Sequence, residues 1–220
     1  MTDFEQTAKT KFHRRADRGT YDRDKVLSIL DAAYVCHVSF ADDPHSRIIP
    51  TVYGRRGDDL ILHGAAAAGM VRGLRSGSEA CVCVTLVDGL VFARAAFNQA
   101  VNYRSVILFG PATELKDPDD KLDAMRCLVE HVLPGHWEHN RPPSKAEFNG
   151  TCVLSVPIRE TSAKIREGGP KDSEEDFDRD CWAGDVPLNI VTGAPVPSPD
   201  LKAGVTVPDY VANWARPGKK

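Results

Sequence analysis

Four short segments of the 220-residue sequence combine residue types that could hold or transform a ligand. In Arg47-Ile48-Ile49-Pro50-Thr51-Val52-Tyr53 a proline interrupts an apolar, β-branched run. Pro50 cannot donate to a ladder, so this is an ordinary edge strand or a place where another group approaches the backbone. Leu60-Ile61-Leu62-His63-Gly64-Ala65 reads as a strand ending, with a helix beginning in 66–75. A helix N-terminus offers free N–H groups and a positive dipole, which suit a phosphate, and His63 would stand at that mouth. A purely structural histidine fits the same facts. Asn102-Tyr103-Arg104-Ser105 groups an amide, a ring, a guanidinium and a hydroxyl. That set could grip a phosphate or stack on a ring, or form a solvated loop with Tyr103 in the core. The fourth segment is Ser162-Ala163-Lys164-Ile165-Arg166-Glu167-Gly168, with Trp182-Ala183-Gly184 further on. Its bases could meet an anion and Trp182 could lid an apolar pocket, or the bases could answer the acidic run at 172–180.

Other chemistries are not legible. His131, His136 and His139 surround Trp137, but their spacing matches no zinc pattern, and no metal site is expected. There is no Ser-His-Asp or Cys-His arrangement. The six cysteines (Cys36, Cys81, Cys83, Cys127, Cys152, Cys181) form no CxxC pair and mostly sit in apolar runs. They read as small buried hydrophobes in a reducing compartment, not as a disulfide framework. No GxGxxG or GxxxxGK occurs, so the usual nucleotide-fold signals are missing.

The elements that must position these residues follow from periodicity. Asp22–Ala33 reads as a helix with Val26, Leu27, Ile29 and Leu30 on one face. Strands are expected over Tyr34–Phe40, Arg47–Tyr53, Leu60–His63, Ala80–Val87, Ser105–Leu115 and Thr151–Arg159. A turn is expected at Ala41-Asp42-Asp43-Pro44, and hairpins at Gly57-Asp58 and at Asp88-Gly89, with Leu90–Ala93 returning. Asp117-Pro118 starts a helix to about Val132. Many strands, few helices and several hairpins predict a mainly β fold with peripheral helices, a small barrel rather than a parallel doubly wound sheet. The expected organisation is a flexible lead-in (1–20), a barrel domain (21–167) and an extended C-terminal arm (168–220). A net charge of −3, with 42% hydrophobic and 27% charged residues, argues against a nucleic-acid surface. The charged N-terminus and the lack of a long apolar stretch predict a soluble, cytoplasmic protein with no membrane partner.

Taken in order, these pieces resemble the flavin-nucleotide-binding branch of the pyridoxamine-5′-phosphate-oxidase-like superfamily, which includes the nitroimidazole-resistance (Nim) proteins. The matching residues are Arg18-Gly19-Thr20-Tyr21-Asp22, Ile49-Pro50-Thr51-Val52-Tyr53, Leu62-His63-Gly64-Ala65 and Asp88-Gly89-Leu90-Val91. Asn102-Tyr103-Arg104-Ser105-Val106 with Phe109-Gly110, Ser162 to Arg166 and Trp182-Ala183-Gly184 complete the set, over roughly 13–190. The resemblance implies a split β-barrel homodimer with FMN between the subunits. The flavin ring would lie along Ile49, Pro50, Thr51, Val52 and Tyr53. His63, Gly64, Ala65 and Met70 would meet the ribityl chain and phosphate. Asn102, Tyr103, Arg104, Ser105, Lys164 and Trp182 would complete the site.

One departure stands out. Where relatives often carry a hydroxyl and a basic residue, this chain has Ala65-Ala66-Ala67-Ala68-Gly69-Met70. Arg72, Arg75 or Arg104 would have to supply the charge, and haem or another flavin-like group becomes an alternative ligand. The leading expectation is an FMN-dependent oxidoreductase acting on a small molecule, with His63 moving a proton. The rivals are a non-catalytic flavin- or haem-binding carrier or sensor, and a dimer that has lost its ligand. The C-terminal tail does not resemble that of true pyridoxamine-phosphate oxidases, so that activity is not expected.

Overall fold

A computed structural model describes residues 2–42 and 45–214. The Asp43-Pro44 centre of the first expected turn, Met1 and the end of the arm beyond 214 lie outside the described residues. The elements in chain order are β1 (Gly19–Thr20), α1 (Arg23–Ala32), β2 (Val35–Asp42), β3 (His45–Val52), β4 (Gly54–Arg56) and β5 (Asp59–Ala65). Then come α2 (Gly69–Arg75), β6 (Glu79–Phe92), β7 (Ala100–Pro111), β8 (Thr113–Glu114), α3 (Pro118–Val132) and α4 (Lys145–Gly150). β9 (Thr151–Pro157), β10 (Glu160–Arg166), β11 (Gly184–Pro187) and α5 (Asp209–Ala212) follow.

The helices start where side chains satisfy their free N–H groups. Asp22 accepts from the Lys25 N–H to cap α1, and Asp117 accepts from Asp119 and Asp120 ahead of Pro118 in α3. Ser144 and Glu147 form a reciprocal capping box on α4.

The strands form two antiparallel sheets. One runs β1-β10-β7-β6-β2-β3, with β11 added along β6, and the other runs β4-β5-β9-β8. The chain crosses between them at Tyr53, Ala112 and Ile158-Arg159 and, between β5 and β6, through α2, and these crossings wrap the sheets around one core. Val38 and Phe40, Val82 and Val84, Val106 and Leu108 face Leu60, Leu62, Leu154 and Val156 across that core. Val26, Ile29 and Leu30 of α1 and Met70, Val71 and Leu74 of α2 pack against the same cluster. On the far face of the smaller sheet, Ile61 and Val153 pack with Ala124 and Leu128 of α3.

Four expectations are corrected. The strand through Pro50 does not form a hairpin with the His63 strand. It pairs with β2, and the hairpin partner of β5 is β4, because Tyr53 turns the chain from one sheet to the other. Asp88-Gly89 is not a turn. The register against β7 slips there, between Val87 and Gly89, and β6 runs on to Phe92. This bulge switches the buried side from even residues (Val82, Val84, Leu86) to odd ones (Gly89, Val91), which keeps apolar side chains inward beyond it. Residues 160–166 form a full strand, β10, along β7. Finally, α2 begins at Gly69, beyond the residue-66 start expected.

The lead-in lies on the barrel. Gly19 and Thr20 pair with Lys164 and Ala163, Thr10 is buried, and Lys9 bridges Glu79 and Glu160. In the arm, β11 continues the larger sheet and α5 returns to the loop after α3, where the Tyr210 hydroxyl meets His136 Nδ1 at 2.7 Å. Among the described residues, no helix is long and apolar enough to cross a membrane.

Candidate cofactor site

β3 is the free edge of the larger sheet. Alternation along it turns Ile49 to the core, while Ile48, Pro50 and Val52 face outward and exposed. Pro50 therefore stands at an edge, where its missing N–H leaves no ladder bond unmade. Across the ladder, exposed His37 of β2 is paired with Pro50 on one side and with half-exposed Cys83 of β6 on the other. Val35, 45% exposed, extends the same face. The outward side of β2 and β3 is thus an apolar surface with one imidazole in it. His37 was missed in the sequence because its only signal is strand parity, which needs the register.

Tyr53, expected beside Val52 at the flavin, is turned inward. Its side chain is fully buried, its hydroxyl donates to the Leu30 carbonyl, and its ring lies 4.7 Å from that of His131. His131 in turn meets the Ala33 carbonyl at 2.8 Å.

His63 pairs with Val153 on β9. Its Nδ1 is buried with no hydrogen-bond partner among the described residues. Burial holds its pKa below the ordinary histidine value, so the ring is neutral. A Cβ on Gly64 would meet Val71 Cγ2 at 3.0 Å, so this glycine admits α2 against β5. Ala68 caps α2 without a side-chain bond, and Met70 is buried in the core. The His63-Gly64 pair is not itself at a helix N-terminus.

The residues expected to supply charge are largely engaged. Arg104 makes a bidentate pair with Asp88 at 2.7 and 2.8 Å, and Arg75 pairs with Glu114. Asn102 is buried, and its Oδ1 accepts from Arg166. Ser105 donates to the Lys164 carbonyl, and Lys164 Nζ to the Arg14 carbonyl. Tyr103 is half-buried opposite Arg166 in the β7–β10 ladder. Trp182 is 66% exposed, edge-on to Phe92 at 5.6 Å.

A cleft opens between α1 and the β1–β10 edge. It holds about 470 Å³ and is lined in part by Arg18, Lys25, Arg104, Arg166 and Lys171. They come from three separate stretches of the chain, 18–25, 104 and 166–171, which the β1–β10 and β10–β7 pairings bring together. The His136–Tyr210 region lines a smaller, almost wholly apolar hollow of about 270 Å³, with Leu133, Val211 and Trp214.

Two wrapped antiparallel sheets, outer helices and an open edge strand define a split β-barrel. The chain belongs to the family described as Pyridoxamine 5'-phosphate oxidase, whose profile matches residues 22–165. Likeness to solved structures extends further. The flavocytochrome Anf3 from Azotobacter vinelandii is 35% identical, with a TM-score of 0.88 over 93% of this chain and 95% of its own. The FAD and haem binding protein from Mycobacterium smegmatis is 34% identical, with a TM-score of 0.84 over 88% of this chain and 95% of its own. A candidate 5-nitroimidazole antibiotic resistance protein from Bacteroides thetaiotaomicron shares the fold at 20% identity, with a TM-score of 0.57 over 67% of this chain and 86% of its own. No protein of curated function matches the chain.

Proposed function

We propose that this chain is a flavin- and haem-binding redox protein that works as a homodimer. The observation that carries the reading is the likeness, near 35% identity, to a flavocytochrome and to an FAD and haem binding protein. It covers about nine-tenths of this chain, so it includes part of the arm that the family profile does not reach.

The residues present fit both groups. A planar ring needs an apolar surface with room beside it, and Ile48, Pro50 and Val52 offer one at an unpaired edge. Imidazole is a common ligand of haem iron, and exposed His37 stands on that same face. When bound, the flavin and the haem supply electron transfer, and the protein supplies orientation and water exclusion. On this reading His63, whose Nδ1 has no hydrogen-bond partner among the described residues, is the group that would hold or release a proton. FMN is the flavin implied by the sequence resemblance. FAD is favoured by the likeness to the FAD and haem binding protein from Mycobacterium smegmatis.

The test is the spectrum of the purified protein and the mass of the released groups. Flavin bands with a Soret band, and a released mass of FAD, are expected. His37→Ala should remove the Soret band and leave the flavin bands. Released FMN would restore the narrower expectation, and protein that takes up neither added flavin nor haemin would overturn the reading.

A further inference from the structure

The cleft between α1 and the β1–β10 edge gathers positive charge that the fold does not need. Five cations line it against two carboxylates, Asp17 and Glu167, in a chain whose net charge is −3. Of the five, only Arg104 has a carboxylate partner, Asp88. Arg18, Lys25, Arg166 and Lys171 make no ion pair among the described residues, although Asp17 and Glu167 adjoin Arg18 and Arg166 in sequence.

Arg166 is the most telling of them. It is only 7% exposed, and its hydrogen bonds go to neutral oxygens alone: Asn102 Oδ1, the Gly168 carbonyl at 3.0 Å and the Gly169 carbonyl at 3.2 Å. Its Nε is buried with no partner among the described residues. The Asp185 carboxylate acts on it only through space and makes no hydrogen bond to it; a buried guanidinium without a bonded carboxylate is costly unless an anion completes it. Burial and, next, the charge of Arg18 hold Arg166 below the ordinary arginine range, so the two cations are near enough to repel. Like charges held together in a concave, half-open space, with one buried and two on mobile lysine stems, form a receptor for a multiply charged anion. The volume of about 470 Å³ exceeds what a lone phosphate needs and lies within the usual range of ligand sites, roughly 300–1,000 Å³.

We propose that this cleft binds the diphosphate of a nucleotide, with Arg166 as its buried anchor and Arg18, Lys25 and Lys171 closing on it from the rim. The cavity and its charge carry this without the flavin reading. The diphosphate could be that of the protein's own flavin dinucleotide or of a separate soluble nucleotide, which share this chemistry.

Titration calorimetry with inorganic pyrophosphate separates the cases, run on the protein as isolated and after flavin removal, at two salt concentrations. Binding to the protein as isolated marks a separate nucleotide. Binding only after flavin removal, and competed by FAD, marks the cofactor's own diphosphate. In either case Lys25→Glu and Lys171→Glu should each weaken binding at least tenfold, and added salt should weaken it further. These side chains are on the rim, so the variants should keep the parent's unfolding midpoint, and Arg166→Met is not relied on. Absence of pyrophosphate binding in both forms, or binding that ignores both charge reversals, would overturn the proposal. A colourless protein that still binds pyrophosphate would sink the flavin reading and leave this one standing.

Discussion

At the scale of single residues, chemical type proved a poorer guide than partner. Tyr53 has the type of a ring-stacking contact, yet it is spent on the core and on the Leu30 carbonyl. Tyr53→Phe should lower unfolding free energy by about 1–3 kcal/mol, because a buried carbonyl loses its donor. Denaturant melts would read this, with flavin content per subunit unchanged; a loss of flavin without a loss of stability would restore Tyr53 to the site. His63 and His131 share a second consequence. Burial is the first cause of lowered pKa in both. Folded, they resist protonation; unfolded, they take it up near pH 6.5, the ordinary histidine value. Below that pH the unfolded chain binds more protons, so their contribution is full above pH 6.5 and is lost as pH falls. Melts from pH 7.5 to 5.5 should show falling stability, with a shallower slope in His63→Gln. Glu147, pushed down to about 2 first by Arg141, titrates well outside this window.

At the scale of elements, close approach of backbone decides what a position tolerates. Gly73 of α2 would place a Cβ 2.6 Å from the Phe40 ring and 2.9 Å from the Ala41 carbonyl. Gly69, at the start of the same helix, has nothing within 4 Å. Helix propensity favours alanine at both. Gly73→Ala should nevertheless destabilise by about 1–3 kcal/mol through overpacking against β2, while Gly69→Ala should stabilise by about 0.4–1 kcal/mol. Parallel thermal melts of the two variants check this, and equal shifts would mean that α2 does not sit as tightly on β2 as these distances require. The bulge at Asp88-Gly89 follows the same logic. A Cβ on Gly89 would meet the Val186 carbonyl at 3.1 Å, so the glycine lets β11 and the arm lie against β6.

For the whole molecule, the outward face of β2 and β3 is the feature that a single chain leaves incomplete. Ile48 is 68%, Val35 45% and Val52 37% exposed around an unpaired edge, a pattern that marks interaction surfaces. If two chains meet there over the bound cofactor, as the sequence resemblance implies for the flavin, Ile48→Asp should convert dimer to monomer in light scattering and lower retained flavin together. Its exposure means the fold should survive the change. A monomeric parent protein, or a dimeric variant that keeps its flavin, would place the cofactor elsewhere.

The sequence by itself determined the periodic elements: α1 and α3 with their aspartate caps, the strand through Pro50, and a mainly β barrel of this family. Those depend on local spacing and capping, which are written in consecutive residues. Local spacing also misled where two structures share one signal. Asp88-Gly89 has the composition of a turn, and only the continuous ladder with β7 makes it a bulge. His63-Gly64-Ala65 has the look of a strand feeding a helix, but Gly64 is there for Val71. Register decided the rest. It turned Tyr53 inward, set His37 beside Pro50, engaged Arg104 with Asp88, and brought Arg18, Lys25, Arg166 and Lys171 around one cleft. Arg104 and Arg166 were legible as anion-binding candidates, but charge gathered from distant elements has no period to read, so the cleft that joins them to Arg18, Lys25 and Lys171 became visible only when β1 met β10.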